Sequence, residues 1–178
     1  AGLNAATGKV VTIDNVNVAV IDRFDRTLTG RRIPYWSMAT FLQSTEDGYP
    51  PPCYTELNER LYLQADRQDK TTAKEIVGRL LLNYLINNTD DHGRNTGLLM
   101  RNNGVWVLSP AFDINPVPLS RPEAPYVSKN YLSLAEGEIE DVRQIWDNLA
   151  AFDLTDEEGC EIFKRVIGAV RNWKTLAV

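Results

Sequence analysis

The chain has 178 residues and a mass of 20.1 kDa, which fits one domain, or one lobe of a protein together with part of another. Its net charge of -5 argues against a broad nucleic-acid-binding face, because such faces are basic. Two distant cysteines and one histidine argue against a structural zinc site, and the lack of a membrane-length apolar run favours a reducing, cytoplasmic location.

The N-terminal part of the chain is rich in β-branched residues. Residues 9–13 and 17–25 are predicted to form two antiparallel strands. The aromatic stretch 33–43 is predicted to contain a short helix opened by Pro34. After the breaker DGYPPP, a further helix is predicted over 54–66.

The strongest helical pattern covers residues 70–87. Its apolar residues recur at the spacing of one buried helix face, at Val77, Leu80, Leu81, Tyr84 and Leu85. Either Thr71 or Thr72 is expected to cap its start, with Glu75 three residues after the second. This helix should form part of the core.

The C-terminal third is predicted to be helical after an irregular segment. Residues 114–130 are rich in proline and lack periodicity. Two amphipathic helices are predicted near 137–151 and 155–173, and Thr155 with Glu158 suits a capping box for the second. The chain as a whole is therefore expected to be an α+β protein that is mainly α.

A hairpin is predicted immediately after the long helix. The short apolar runs 97–100 and 105–109 are separated by RNNG. Asn103 and Gly104 both accept the positive φ angles of a tight primed turn, and this pair is the strongest short hairpin signal. The polar cluster 90–95 enters this hairpin.

Three polar side chains should meet because a hairpin brings its two ends together: Asp90, Asn95 and Asp113. Asp113 and Asn95 offer the hard oxygen ligands that magnesium prefers. Asp90, five residues before Asn95, is placed to accept a hydrogen bond from an attacking hydroxyl. The order and spacing match a kinase catalytic loop followed by a metal-binding Asp, so the sequence predicts phosphoryl transfer.

The alternative is that these residues only form turns, since Asp, Asn and Gly bond readily to their own backbone. Against this, Asp113 follows an aromatic residue at a strand exit, where a turn former is expected to have no special advantage. His92 is either a general base or a hydrogen-bonding residue that pins the loop, and the second role is favoured. Asp91 is expected to be exposed.

Three ordered motifs resemble the C-terminal kinase domain of HipA-type serine/threonine kinases, the toxins of bacterial toxin–antitoxin pairs. They are AVIDRFDR at 19–26, NNTDDHGRN at 87–95 and WVLSPAFDINP at 106–116. The resemblance spans about residues 1–172. Phe112 stands where Tyr is usual, and Asp22 where Glu is usual.

The resemblance implies a protein-kinase-like fold that binds ATP and Mg²⁺. Residues 1–26 would be a remnant of the small lobe with the hinge, and 27–178 the mainly helical lobe. Asp90 would be the catalytic base with His92 in its loop, and Asn95 and Asp113 would be the magnesium ligands. Backbone groups around Asp22 and Phe24 would meet the adenine.

Most of the small lobe is expected to be missing, because only about 20 residues precede the hinge motif and Lys9 is not in the position of the usual strand lysine. The chain would then be a fragment or truncated relative, weakly active or inactive alone. Two alternatives stay open: a phosphoinositide-kinase-like enzyme, and a non-catalytic kinase-like module that binds an antitoxin-type partner. Any DNA contact would be indirect, through such a partner.

Overall fold

The computed structural model describes residues 1–44, 51–64, 69–116, 130–133 and 137–173. Within these ranges the protein has five α-helices, one 3-10 helix and seven short strands in antiparallel sheets. The predicted combination of helices and antiparallel strands is confirmed. None of the described helices is both long and apolar enough to cross a membrane.

The N-terminal strands form an isolated hairpin, β1 (Gly8–Ile13) and β2 (Val16–Ile21). Asp14 and Asn15 have φ angles of 50° and 63°, the left-handed conformation that a two-residue primed turn requires. The hairpin prediction is confirmed, but the predicted extension of the second strand to residue 25 is wrong. Asp25 instead binds Arg23 and Arg26 in a turn.

A second sheet has the order β3-β4-β5, formed by Tyr35–Ser37, Gly97–Met100 and Trp106–Leu108. The predicted hairpin is therefore confirmed as β4-β5. The prediction of a primed turn is wrong. Such a turn needs two residues with a positive φ angle, and Gly104 alone among the loop residues has one, of 81°. The five-residue connection closes through an Arg101 amide donating to the Val105 carbonyl, and it needs only one left-handed residue.

A four-residue helix, α1 (Met38–Phe41), follows β3 directly. Ser37 caps it by accepting a hydrogen bond from the Thr40 amide at 3.2 Å. The prediction that Pro34 opens this helix is wrong. The Pro34 carbonyl accepts a bond from the Met100 amide at 3.0 Å, so this residue lies beside the sheet and three strand residues intervene.

The core is built on two longer helices, α2 (Tyr54–Tyr62) and α3 (Thr71–Leu85). On α3, the side chains of Ile76, Val77, Leu80 and Leu81 are at most 1% exposed, which confirms the predicted buried helix. The predicted threonine cap is wrong: the Asp69 carboxylate accepts from the Thr71 amide at 2.9 Å. The earlier helix, predicted over 54–66, ends at Tyr62 with Leu63 as its C-cap, so the predicted extension through residues 63–64 is wrong and residues 65–66 lie outside the described ranges.

The C-terminal part packs on α3. It comprises β6 (Tyr131–Ser133), β7 (Gly137–Glu138), α4 (Val142–Asp147), a 3-10 helix (Leu149–Phe152) and α5 (Asp156–Arg171). The predicted helix over 137–151 is thus shorter, because Asp141 caps a helix that begins at Val142. The capping box of Thr155 and Glu158 is confirmed. Of the predicted irregular segment, residues 117–129 lie outside the described ranges.

Candidate functional site

Asp90 projects from a loop that is tied to the end of α3. The Asn88 side chain is buried, and its amide nitrogen donates to the Asn83 side-chain oxygen at 3.1 Å. The Asn88 oxygen accepts from the Asp90 backbone amide at 3.3 Å. These bonds fix the Asp90 backbone to a core helix, while its own side chain is exposed to solvent.

Asn95 closes the same loop. Its side-chain nitrogen donates to the Asp90 carbonyl at 3.1 Å, and its backbone amide donates to the His92 carbonyl at 2.8 Å. Because the nitrogen is held by the loop, the side-chain oxygen is the atom that is oriented away as an acceptor or metal ligand. The spacing of five residues between Asp90 and Asn95 thus allows the Asn95 side chain to close this loop.

Helix α1 and Pro52 hold the loop from its other side. The Met38 amide donates to the Thr96 carbonyl at 2.8 Å, and the Ala39 amide donates to the Gly93 carbonyl at 3.0 Å. A Cβ atom at Gly93 would lie 2.5 Å from Pro52 Cγ, so only glycine fits this approach. The loop is thus clamped between three separate elements.

The prediction that Asp91 is exposed is wrong. Asp91 is 2% exposed, and the Tyr54 hydroxyl lies 2.8 and 2.9 Å from its two carboxylate oxygens. A turn sequence gives no sign of this, since Tyr54 is 37 positions earlier. Burial of the carboxylate is possible because it is hydrogen-bonded.

His92 lies beside Asp90, with 3.9 Å between its Nε2 atom and an Asp90 carboxylate oxygen. Its Nδ1 atom is buried and makes no hydrogen bond within the described part of the chain. The expected pinning of the loop through a histidine hydrogen bond is thus absent among the described residues. The ring edge faces the Asp90 carboxylate instead.

Asp113 has a left-handed backbone, with a φ angle of 56°. The expectation that a turn former has no advantage here is therefore wrong, since Asp tolerates this conformation better than most residues. The side chain is exposed, and Asn115 donates to one of its carboxylate oxygens at 2.7 Å.

The segment before Asp113 is held by charged residues that sequence reasoning missed. Arg79 is buried and donates to the carbonyl oxygens of Ser109 at 2.8 Å and Asn4 at 3.2 Å. Glu75 accepts from Arg79 at 2.8 Å and from the Asn4 amide at 3.1 Å. A Glu and an Arg four residues apart inside a strongly apolar helix were the available signal.

Asn95 and Asp113 line one small cavity, together with Asp91 and Arg79. The structure therefore brings the two predicted ligands together across 18 positions of sequence, while Asp90 is not part of that lining. Within the described residues, no group of three or more His, Cys, Asp or Glu side chains is arranged to hold a metal. A cation here would rest on one carboxylate and one amide oxygen, and that role stays a prediction.

A larger cleft of about 770 Å³ opens beside this cavity. Asp22 and Phe24 line it together with Asp113, which belongs to both spaces. The Phe24 ring lies 5.5 Å from Phe112 and 6.2 Å from Tyr35, so aromatic side chains form one wall. The predicted hinge residues and the predicted metal ligand thus share one cleft.

The cleft is acidic. Its described lining includes Asp22, Asp25 and Asp113, with Arg23 as the accompanying cation. The hydrogen bond from Arg23 holds the pKa of Asp25 at about 2. Burial, aided by the Asp25 charge, raises the pKa of the Tyr35 hydroxyl. An anionic ligand would enter such a cleft more readily when a cation accompanies it.

The fold and the site define a mixed α/β domain with an acidic cleft bordered by a rigid polar loop. The family model of the HipA-like C-terminal domain matches residues 1–173, and the chain belongs to this family. No curated protein matches the sequence.

A solved structure from Shewanella oneidensis MR-1 has a similar fold, with a TM-score of 0.69 at 16% sequence identity. It is the toxin–antitoxin complex of HipA and HipB with operator DNA. The match covers 95% of this chain and 44% of the Shewanella chain, so this chain spans less than half of that protein's length.

Proposed function

We propose that this chain contains the catalytic loop and metal ligands of a HipA-like protein serine/threonine kinase, which transfers the ATP γ-phosphate to a protein hydroxyl. The observation that carries this proposal is the position of Asp113. It lines the cleft of Asp22 and Phe24 and also the cavity of Asn95. A nucleotide in the cleft would have its phosphates at the predicted metal ligands.

Asn95 and Asp113 are assigned to Mg²⁺. Their donor atoms, one amide oxygen and one carboxylate, suit a hard cation that keeps several water ligands. When bound, the ion neutralises charge on the nucleotide phosphates. The loop hydrogen bond from Asn95 to the Asp90 carbonyl presets the amide orientation before any ion arrives.

Asp90 is assigned as the base that accepts the proton of the acceptor hydroxyl. Its side chain is exposed at the edge of a clamped loop, where a protein substrate can reach it. The His92 Nε2 atom, 3.9 Å from an Asp90 carboxylate oxygen, borders the base and would help to orient its side chain. His92 thereby supports the base and does not replace it.

The adenine is assigned to the aromatic wall of the cleft. Phe24, packed against Phe112, offers an apolar ring face to a planar base. The Asp22 backbone amide already donates to the Thr7 carbonyl at 2.8 Å. The contact at Asp22 is therefore assigned to its carbonyl oxygen, which can accept from the adenine amino group.

Isothermal titration of the 178-residue chain with Mg-ATP tests the proposal. We expect weak binding that requires Mg²⁺, because three carboxylates and one arginine line the described cleft. Asp113→Asn should abolish the magnesium dependence, whereas Asp147→Asn, an exposed change on α4, should not. Binding that is equally strong in EDTA would contradict the metal assignment, and low-micromolar affinity would contradict the weak binding.

A second candidate function is binding of an antitoxin-type partner. It is favoured by the similar Shewanella structure, which is a HipA complex with HipB and DNA. Such a role needs no turnover and agrees with the acidic net charge, since DNA would be contacted only through the partner. Co-purification of a DNA-binding protein that survives Asp90→Asn would support it, and loss of that complex in Asp90→Asn would count against it.

A further inference from the structure

We propose that Tyr54, Asp91 and Asn130 form a buried anchor that positions Asp90, the residue next to Asp91 in the chain. The Tyr54 hydroxyl lies 2.8 and 2.9 Å from the two Asp91 carboxylate oxygens. The Asn130 side-chain nitrogen lies 3.1 Å from the Tyr54 hydroxyl oxygen and 3.4 Å from an Asp91 oxygen. The three groups thus form one connected network.

Because this network is buried, breaking any of its hydrogen bonds has a large free-energy cost. Tyr54, Asp91 and Asn130 are 3%, 2% and 0% exposed. A carboxylate removed from water to this extent is tolerated only when its hydrogen bonds are made. Loss of one partner leaves the others desolvated, so a change that removes a hydrogen-bonding group from any of the three is costly.

The partners of Asp91 come from remote parts of the chain. Tyr54 is the first residue of α2, and Asn130 precedes β6. A parallel bridge between Cys53 and Tyr131 holds these two elements together, and the Tyr131 amide donates to the Pro52 carbonyl at 2.9 Å. The position of the anchor is therefore set by the core and not by the loop itself.

The anchor explains why Asp90 points outward. Adjacent side chains in an extended or turn segment project in different directions, and the Asp91 side chain is fixed inward by Tyr54. The Asp90 backbone is fixed at the same time by Asn88 and Asn95. Tyr54 and Asp91 are thus positioning residues, and their effect on phosphoryl transfer rests on the proposed function of Asp90.

The anchor is tested without nucleotide, by amide hydrogen exchange of the 178-residue chain. Tyr54→Phe removes only the hydroxyl, and Tyr62→Phe, at the other end of α2, is the matched control. We expect Tyr54→Phe to raise the amide exchange rate at residues 88–96 by about tenfold relative to the rate in α5. The reason is that the variant loses a hydrogen bond to a buried carboxylate. Equal loop exchange in both variants would overturn the proposal.

Rescue separates positioning from general stability. Asp91→Asn keeps an oxygen that accepts from Tyr54 and should retain most of the wild-type loop protection. Asp91→Leu, of similar size, should lose it, and adding Tyr54→Phe to Asp91→Leu should have little further effect. Full additivity in the double variant, or no rescue by Asn, would overturn the anchor.

The NMR signals of the His92 ring give a second local measurement, because His92 is the single histidine of the chain. We expect the chemical shifts of these signals to change in Tyr54→Phe and to be unchanged in Tyr62→Phe, because the ring lies in the anchored loop. Unchanged ring signals in Tyr54→Phe would contradict the anchor. Failure of the chain to bind Mg-ATP would contradict the proposed function alone, since neither loop measurement involves nucleotide.

Discussion

The Arg79 guanidinium donates to the Ser109 carbonyl at 2.8 Å, four residues before Asp113. The same nitrogen contacts the Asn4 carbonyl at 3.2 Å, and Glu75 completes the charge pair. The central helix is thereby joined directly to the segment that carries the predicted metal ligand. The Ala111 amide, which donates to the Asn4 carbonyl at 2.8 Å, extends this connection to the first residues of the chain.

Replacement of Arg79 by Met is expected to lower the free energy of unfolding by about 3 kcal/mol. The Arg79 side chain is 8% exposed and that of Glu75 16%, so the variant leaves a largely buried carboxylate without its cation. Urea denaturation followed by circular dichroism measures the change.

Arg60→Met is the matched control. Arg60 pairs with Glu56 at the same i,i+4 spacing, but these side chains are 38% and 34% exposed. A solvent-screened pair of this kind contributes about 0–1 kcal/mol. Equal losses in Arg60→Met and Arg79→Met would show that burial is not what makes the Arg79 pair important.

Asp90→Asn is expected to separate catalysis from binding. In a form of the protein that transfers phosphate, the rate should fall by about 10²–10⁴-fold, because a positioned base contributes about this much. Mg-ATP affinity should change by less than about twofold, since Asp90 does not line the cavity of Asn95 and Asp113. Radiolabelled phosphate transfer and calorimetry measure the two quantities, and an equal loss in both would reassign Asp90 to binding.

Glu158 is expected to make stability depend on pH. Its hydrogen bond from the Thr155 amide, with help from Lys74 and Lys70, lowers the pKa of this carboxyl to about 2. A carboxyl whose pKa is lower in the folded state stabilises the protein above its unfolded value of 4.5, and this contribution is lost as the pH falls to about 2. Glu158→Gln should therefore cost about 1 kcal/mol at pH 6 and nothing near pH 2.

Glu157→Gln provides the control for that measurement, because Glu157 is its exposed neighbour in the first turn of α5. Thermal unfolding of both variants between pH 6 and pH 2 gives the comparison. A pH-independent loss in Glu158→Gln would contradict the role of the ionised carboxylate.

Two glycine-to-alanine changes are expected to have opposite effects on the stability of the protein. A Cβ at Gly97 would lie 2.5 Å from the Tyr35 ring and 2.7 Å from the Ser109 hydroxyl oxygen, so Gly97→Ala should cost about 1–3 kcal/mol. At Gly168, inside α5, no atom outside the local backbone of the helix lies within 4 Å of the added methyl group, and alanine should stabilise the helix by about 0.5–1 kcal/mol. Thermal melts check both signs, and a stabilised Gly97→Ala would disprove close packing of β3 on β4.

Local patterns in the sequence were sufficient to predict the main secondary-structure elements. The periodic apolar residues of α3, the capping box of α5 and the β-branched strands of the first hairpin all predicted elements that the structure contains. These signals succeed because each is set by neighbours a few residues apart. The turn at 101–105 and the start of α1 were predicted wrongly, since loop length and pairing with β4 decided them.

Some features of the candidate site were likewise predictable from local sequence, and others were not. The sequence by itself supplied Asp90, Asn95 and Asp113 in order, with a hairpin to join them. Only the tertiary structure showed that Asp91 is buried against Tyr54 and that Arg79 holds the segment before Asp113. Those partners are 37 and 30 positions apart, and such contacts are selected by packing of the whole core, which no local pattern encodes.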